Sequence, residues 1–303
     1  MITAAAGLES GAVTPTEPSY PVLDAYVPPL TERPLRNFDG NDCGGSLFDI
    51  LRRSCNSSFA QMGVEHVGPA LLIETAEAFG FNDTPPIDLP AAGGSVFPTE
   101  FGQTFETVEE YLTERQLPFL PAADGRAVDL YGDAPRLAQA AIGQNDVKAT
   151  PLQMALVAAA VANGGTTMTP HVMAEIRDRD AKAVEKFDTS VWREVMTSAN
   201  AEVLRSAMVD VVANGTASRL GIEGRVVGGK TGTAQLGTTP PRSHAWIIGF
   251  AGDPGAVPSV AVAVIVEGQP GASEQTGGKV AAPIARSVLE AALRPISSPQ
   301  PGR

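Results

Sequence analysis

Gly224-Arg225-Val226-Val227-Gly228-Gly229-Lys230-Thr231-Gly232-Thr233 is the stretch on which the reading of this chain turns. Its first eight residues fit the phosphate-loop pattern G-x-x-x-x-G-K-[ST] letter for letter. A phosphate loop needs a helix directly after the lysine, because the helix N-terminus and its N–H groups hold the phosphates. The eleven residues after Lys230 contain two glycines and a Pro-Pro pair, which cannot make that helix. A nearby strand ends in Glu267, a poor stand-in for a metal-binding Asp. The alternative is Lys-Thr-Gly-Thr on a β-strand. There Lys230 offers a fixed positive charge to a carboxylate. Gly232 lets a peptide backbone lie against the strand, Thr231 and Thr233 bring hydroxyls, and the Thr233 N–H can serve an oxyanion site.

Working outward, residues 225–230, 244–251 and 259–266 read as strands, the last two a hairpin around Asp253-Pro254-Gly255. Residues 281–293 carry apolar positions at helical spacing and read as a helix docked on that sheet. Upstream, 201–213 is an amphipathic helix stopped by Asn214-Gly215, and 171–177 with 183–187 read as a hairpin. Thr150-Pro151-Leu152-Gln153 opens a buried helix through 162, with Thr150 as cap, Pro151 in the first position and Gln153 closing a capping box. Residues 47–62 read as a helix broken near Ser54, and 69–79 as another helix. Residues 2–8 form an apolar helix that Gly11 stops; with no cap or turn before it, the chain opens inside a helix. Helices in a block followed by antiparallel strands and a closing helix predict an α+β fold, an antiparallel sheet flanked by helices.

Composition narrows the function. The 303 residues are 43% hydrophobic and 18% charged, which excludes a disordered chain. The net charge of −12 leaves no electrostatic footprint for nucleic acid. No apolar run reaches the roughly 18–20 residues of a membrane span, and no signal peptide precedes the first helix. His66, His171 and His244 share no ligand spacing, so neither a metal nor a cofactor is expected.

The second chemical element is Ser54-Cys55-Asn56, an S-x-N placed where a predicted helix is interrupted by polar residues. Together, four stretches resemble the transpeptidase domain of class B penicillin-binding proteins, most of all the actinobacterial penicillin-binding protein A type. They are Arg53-Ser54-Cys55-Asn56; Ala141-Ile142-Gly143-Gln144 with Ala149-Thr150-Pro151-Leu152-Gln153; Gly229-Lys230-Thr231-Gly232-Thr233; and His244-Ala245-Trp246. The resemblance runs over residues 1–294 and is thin between 99 and 131, inside a loop-rich insertion at about 82–131; residues 295–303 read as a tail. It implies a penicillin-recognising fold and a peptidoglycan D,D-transpeptidase that cross-links stem peptides ending in D-Ala-D-Ala by serine acyl transfer. β-Lactams would acylate the same serine, and cell-wall synthesis or division proteins would be its partners. It also implies an anchored domain on the outer face of the plasma membrane. By this resemblance Ser54 would relay protons, Asn56 would bind the substrate's peptide carbonyl and hold the catalytic lysine in place, Lys230 would steer the carboxylate and help Ser54 transfer protons, and Thr231 and Thr233 would bind that carboxylate, with Gly232 leaving room for the substrate backbone. Ser54 and Lys230 are expected to face each other within about 10 Å across one cleft, since a proton relay needs hydrogen-bond reach. Cys43 and Cys55 can pair in such a domain, in a loop of about a dozen residues.

One family element is missing. The residues three places before Lys148, Lys182, Lys186, Lys230 and Lys279 are Asn145, Arg179, Ala183, Val227 and Thr276, so no Ser-x-x-Lys exists in the chain. Met1-Ile2-Thr3-Ala4-Ala5-Ala6 resembles the helix body that follows that motif. The expectation is a domain incomplete at its N-terminus, inactive and unstable as written. A non-catalytic binding module of the same fold and a phosphate-loop nucleotide binder are the alternative readings.

Overall fold

The computed structural model describes residues 1–90, 92–270 and 275–294, so the 295–303 tail lies outside the described residues. The chain opens with α1 (Ile2–Glu9), in which Thr3 to Leu8 are all buried. An Ala-rich run with no charge before Glu9 has no face to offer water. Two short antiparallel pairs follow: β1 (Tyr20–Leu23) with β4 (Cys43–Gly45), and β2 (Ala25–Tyr26) with β3 (Leu35–Arg36). Helix α2 (Leu47–Arg53) starts from a Ser46–Asp49 capping box and ends at Ser54. Helix α3 (Asn56–Gln61) runs into a π-helical turn, Met62–Val67, and then α4 (Gly68–Ala78). The break foreseen at Ser54 is therefore real.

Segment 82–131 is irregular but not detached. It holds β5 (Thr104–Thr107), α5 (Val108–Glu114) and β6 (Asp129–Tyr131), and it buries Phe97, Phe101, Leu112 and Leu130 in the common core. Helix α6 (Ala134–Ala141) was not foreseen. Asp133 accepting from the Arg136 N–H, with a Pro in the first turn, is the signal that marks it. In α7 (Pro151–Ala162) Thr150 caps as expected, but the capping box is only half formed. The buried Gln153 side chain donates to the Phe79 carbonyl at 2.6 Å instead, tying α7 to the end of α4.

Beyond α7, β7 (Thr166–Met168) pairs with β10 (Val191–Glu194), and β8 (Glu175–Arg177) pairs with β9 (Ala183–Lys186). The second pair is the foreseen hairpin; the first joins residues too short and too mixed to show a period of two. Helix α8 (Ser198–Asn214) leads to the antiparallel sheet β11 (Val226–Gln235), β12 (Ser243–Gly252) and β13 (Val260–Val266), ordered β11-β12-β13. Helix α9 (Ala282–Ala292) closes the described chain. Helices α7 and α9 pack on β12 and β13, and α8 packs on β11.

The register Lys230↔Ile248 and Thr233↔Ala245 runs unbroken, so 226–235 is extended throughout. That removes the phosphate-loop reading, because no helix follows Lys230 and the strand pairs with β12. Packing explains the paired glycines. A Cβ on Gly228 would sit 2.2 Å from the Phe250 ring, and one on Gly229 would sit 2.6 Å from Leu220.

Candidate active site

Ser54 ends α2 with φ 60° and ψ 52°, a left-handed conformation that serine adopts at a cost. Three restraints hold it there. Its N–H donates back to α2; Cys55, the next residue, is joined by a disulfide to Cys43 on β4; and the Ser57 N–H donates to Asn37 Oδ1 at 2.9 Å. The disulfide thus staples the S-x-N turn to β4, beside the sheet edge it makes with β1.

Across the cleft, Lys230 Nζ donates to Ser54 Oγ at 2.6 Å and to the Thr231 carbonyl at 2.8 Å. The two residues are 176 apart in sequence and in direct contact in space. Burial pushes the Lys230 ammonium down to about 8, so a neutral amine is accessible near neutral pH. Such a lysine can accept a proton from the hydroxyl it touches and return it, which a lysine held near its ordinary value does poorly.

Thr231 and Thr233 follow on the free edge of β11. The Thr231 hydroxyl shares a hydrogen bond of 2.8 Å with the hydroxyl of Thr216, at the end of α8. Sequence reasoning missed Thr216, because Asn214-Gly215 before it reads as a helix stop and nothing more. At Gly232 a Cβ would lie 3.2 Å from the Trp246 Cβ, so a side chain there would crowd both the sheet and the cleft. Asn56 lines the cleft, and its Nδ2 donates to the Arg36 carbonyl at 3.2 Å, which fixes the direction of the carboxamide. Gln144 reaches the strand from the turn after α6, donating to the Thr233 carbonyl at 2.8 Å. These groups share one open cleft of about 1870 Å³, which Met1 and Ile2 also line. Among the described residues no His/Cys/Asp/Glu cluster suited to a metal ion exists, and no helix is long and apolar enough to cross a membrane.

The arrangement is a serine hydroxyl against a lysine of lowered pKa, beside a strand edge able to receive an extended peptide. The family model described as the penicillin-binding protein transpeptidase domain matches residues 1–290. The peptidoglycan D,D-transpeptidase PbpA of Mycolicibacterium smegmatis is 34% identical over 97% of this chain and 54% of its own length. That of Mycobacterium tuberculosis is 35% identical over the same shares. The chain therefore spans about half the length of these curated relatives. Among solved structures, a ceftriaxone acyl-enzyme complex of penicillin-binding protein A from M. tuberculosis superposes with a TM-score of 0.76 at 32% identity, over 97% of this chain and 59% of that one. A D,D-transpeptidase domain from Eggerthella lenta gives the same TM-score at 25% identity, over 96% and 63%. With its fold, its strand-borne Lys-Thr-Gly-Thr and these matches in agreement, the chain belongs to the penicillin-binding protein transpeptidase family.

Proposed function

We propose that this chain supplies the substrate-holding part of a peptidoglycan D,D-transpeptidase acting outside the cytoplasm. The observation that carries the reading is the 2.6 Å contact between Lys230 Nζ and Ser54 Oγ in a cleft lined by Thr231, Gly232 and Thr233. In the complete reaction a serine oxygen attacks the carbonyl of the penultimate D-Ala, and its proton passes to a basic lysine. The bond to the terminal D-Ala breaks, with a proton delivered to the leaving nitrogen through Ser54 and Lys230. An amine of a neighbouring stem peptide then displaces the serine, forming the cross-link. Lys230 and the hydroxyls of Thr231 and Thr233 hold the terminal carboxylate; the Thr233 N–H helps hold the oxyanion. Asn56 holds the substrate's amide. A β-lactam enters the same route at the first attack.

The attacking serine and its lysine are proposed to belong directly before α1, since Met1 and Ile2 line the cleft and no Ser-x-x-Lys occurs within the 303 residues. The same absence favours the second reading, a binding module of this fold without turnover. Intact-mass measurement with excess penicillin separates the two. The 303-residue chain is expected to show no adduct. A polypeptide extended by the residues encoded upstream in frame is expected to gain the mass of one penicillin, with Lys230→Ala slowing that gain at least tenfold. An extended chain with no Ser-x-x-Lys and no adduct leaves the binding module. Equal labelling of the Lys230→Ala variant would remove Lys230 from the site.

A further inference from the structure

Charge is unevenly placed on this chain. Its net charge is −12, yet among the described residues lining the cleft seven are basic and only two, Asp39 and Asp42, are acidic. Pairing narrows the seven. Arg36 pairs with Asp24, and Arg52 with Asp49 and Asp210. Both acids of the lining belong to the connection between β3 and β4, where the Arg53 Nη2 donates to the Asp42 carbonyl at 2.7 Å. Arg219 and Lys279 come from two other connections, α8 to β11 and β13 to α9, which bring no acidic residue to the described lining.

These two connections are joined beside the strand. Arg219 Nη1 donates to the Lys279 carbonyl at 3.1 Å. Leu220, the next residue, is fully buried where a Cβ on Gly229 would sit 2.6 Å from it, which docks the Arg219 turn on β11. A Cβ on Gly278, just before Lys279, would lie 2.3 Å from the Thr216 carbonyl and 3.6 Å from Thr231 Cγ2. Two exposed cations are thus carried on backbone packed against Thr231. Lys230 is placed differently. It is half-buried, with its ammonium turned to Ser54 Oγ and the Thr231 carbonyl. An anion arriving from water meets Arg219 and Lys279 first.

We propose that Arg219 and Lys279 form a carboxylate-collecting mouth. They draw a peptide with a free C-terminal carboxylate toward the cleft of a chain whose remaining surface repels it, and pass the carboxylate on to Lys230 and Thr231. This rests on the functional reading above, in which the terminal carboxylate lies there. A cleft lined by one sign of charge raises the local concentration of the opposite one, and salt weakens the effect. The same cations favour the donor over what it releases. The donor's C-terminal end is an anion, whereas free D-Ala carries an ammonium beside its carboxylate and is net neutral.

The test uses Nα-acetyl-D-Ala-D-Ala and its C-terminal amide, titrated by ligand NMR against the 303-residue chain and its Arg219→Gln/Lys279→Gln variant at 20 and 300 mM NaCl. At 20 mM the acid is expected to bind the double variant about fivefold more weakly, the size of two exposed charges acting over roughly 10 Å. At 300 mM the two proteins are expected to agree within about twofold, because the unaltered chain alone loses about threefold in Kd. The amide is expected to distinguish neither protein nor salt concentration. Arg219→Lys with Lys279→Arg keeps both charges and is expected to keep the salt response, which separates charge from folding. Arg33→Gln, beside the acidic connection, is expected to change Kd less than about twofold. Equal binding of the acid by chain and double variant at 20 mM, or an Arg33→Gln effect as large as theirs, overturns the mouth alone. Failure of the acid to bind any of these proteins, or equal affinity for acid and amide throughout, overturns the functional reading beneath it.

Discussion

Ser54 shows how much one residue's backbone matters. Its hydroxyl reaches Lys230 because the residue is held at φ 60°, in a region that costs a residue with a Cβ about 1–2 kcal/mol. Glycine at this position removes that cost, and alanine keeps it. Ser54→Gly is therefore expected to be more stable than Ser54→Ala by about 1 kcal/mol, although both lack the hydroxyl. Urea midpoints of the two variants measure the difference; an alanine variant as stable as the glycine one would remove the strain. Lys230 makes a second residue-scale prediction. With burial holding its amine near 8, it becomes nucleophilic at a lower pH than a lysine at the ordinary value of 10.5. Partial acetylation across pH 7–10, read peptide by peptide in a mass spectrometer, is expected to show Lys230 reacting with a midpoint near 8. A midpoint above 10 would contradict the role assigned to it.

At the scale of elements, the S-x-N turn is a junction between two helices held by a covalent tie. The Cys43–Cys55 disulfide closes a loop of 12 residues, for which chain-entropy arguments give about 3 kcal/mol. Replacing both cysteines by alanine is expected to lower the unfolding free energy by that order. It is also expected to speed hydrogen exchange at Ser57, whose N–H is held by Asn37 just beyond the tie. A double variant with unchanged denaturation would show that α2 and α3 hold the turn unaided. Strand β13 presents a different problem. Its sequence Val-Ala-Val-Ala-Val-Ile-Val is apolar throughout, and among the described residues it pairs on one side only, with β12. An unpaired apolar edge of this kind promotes association between chains. It gives the expectation of an unstable chain a physical basis. Light scattering of the 303-residue chain is expected to rise with concentration during heating, whereas a sharp, reversible, concentration-independent melt would refute it.

Across the whole molecule, one buried titratable group with a bearing on stability lies away from the cleft. Glu65, in the π-helical turn, is 1% exposed, with Gln61 Nε2 donating to one carboxylate oxygen at 2.8 Å. Among the described residues the other oxygen has no partner within hydrogen-bond geometry. Burial pushes its carboxyl up to about 7, and the polar groups around it, Gln61 first with Tyr26 and the Leu120 backbone, offset only part of that. The folded chain therefore holds a proton that the unfolded chain releases near its ordinary value of 4.5. Stability contributed by Glu65 is full below about 4.5, falls as pH rises toward 7, and is gone above it. The loss is on the order of 3 kcal/mol. Glu65→Gln, which stays neutral, is expected to gain stability over the unaltered chain by that order between pH 4.5 and 8.5. Denaturation curves at the two values decide it, and a pH-independent difference would show that Glu65 is ionised throughout. Its neighbour His66 feels the same burial. Burial pushes the imidazole down, with Tyr20 Oη 2.7 Å from Nδ1 and the Leu120 carbonyl facing Nε2.

Periodicity and punctuation were enough for the long elements. The apolar runs of α1 and α7, the break at Ser54, the strands on either side of Asp253-Pro254-Gly255 and the closing helix all announce themselves locally. The reason is that a helix or strand buried along one face must repeat its apolar residues at its own period. Lys-Thr-Gly-Thr could be assigned to a strand because the residues after it cannot form a helix. The sequence also determined that no Ser-x-x-Lys lies within the chain, a matter of order alone. Short pairs such as β7 with β10 stayed hidden, because three or four residues carry no measurable period and their partners lie some 25 residues away. The same holds for Gln153, whose side chain left the local cap for the Phe79 carbonyl once α4 and α7 packed. Thr216 and the carboxamide of Gln144 belong to the site only through the approach of α8 and the α6 turn to β11. Only the tertiary structure could lower the Lys230 pKa, since that shift comes from removing water around its amine. No spacing of letters encodes that desolvation; it follows from how the chain closes around the cleft.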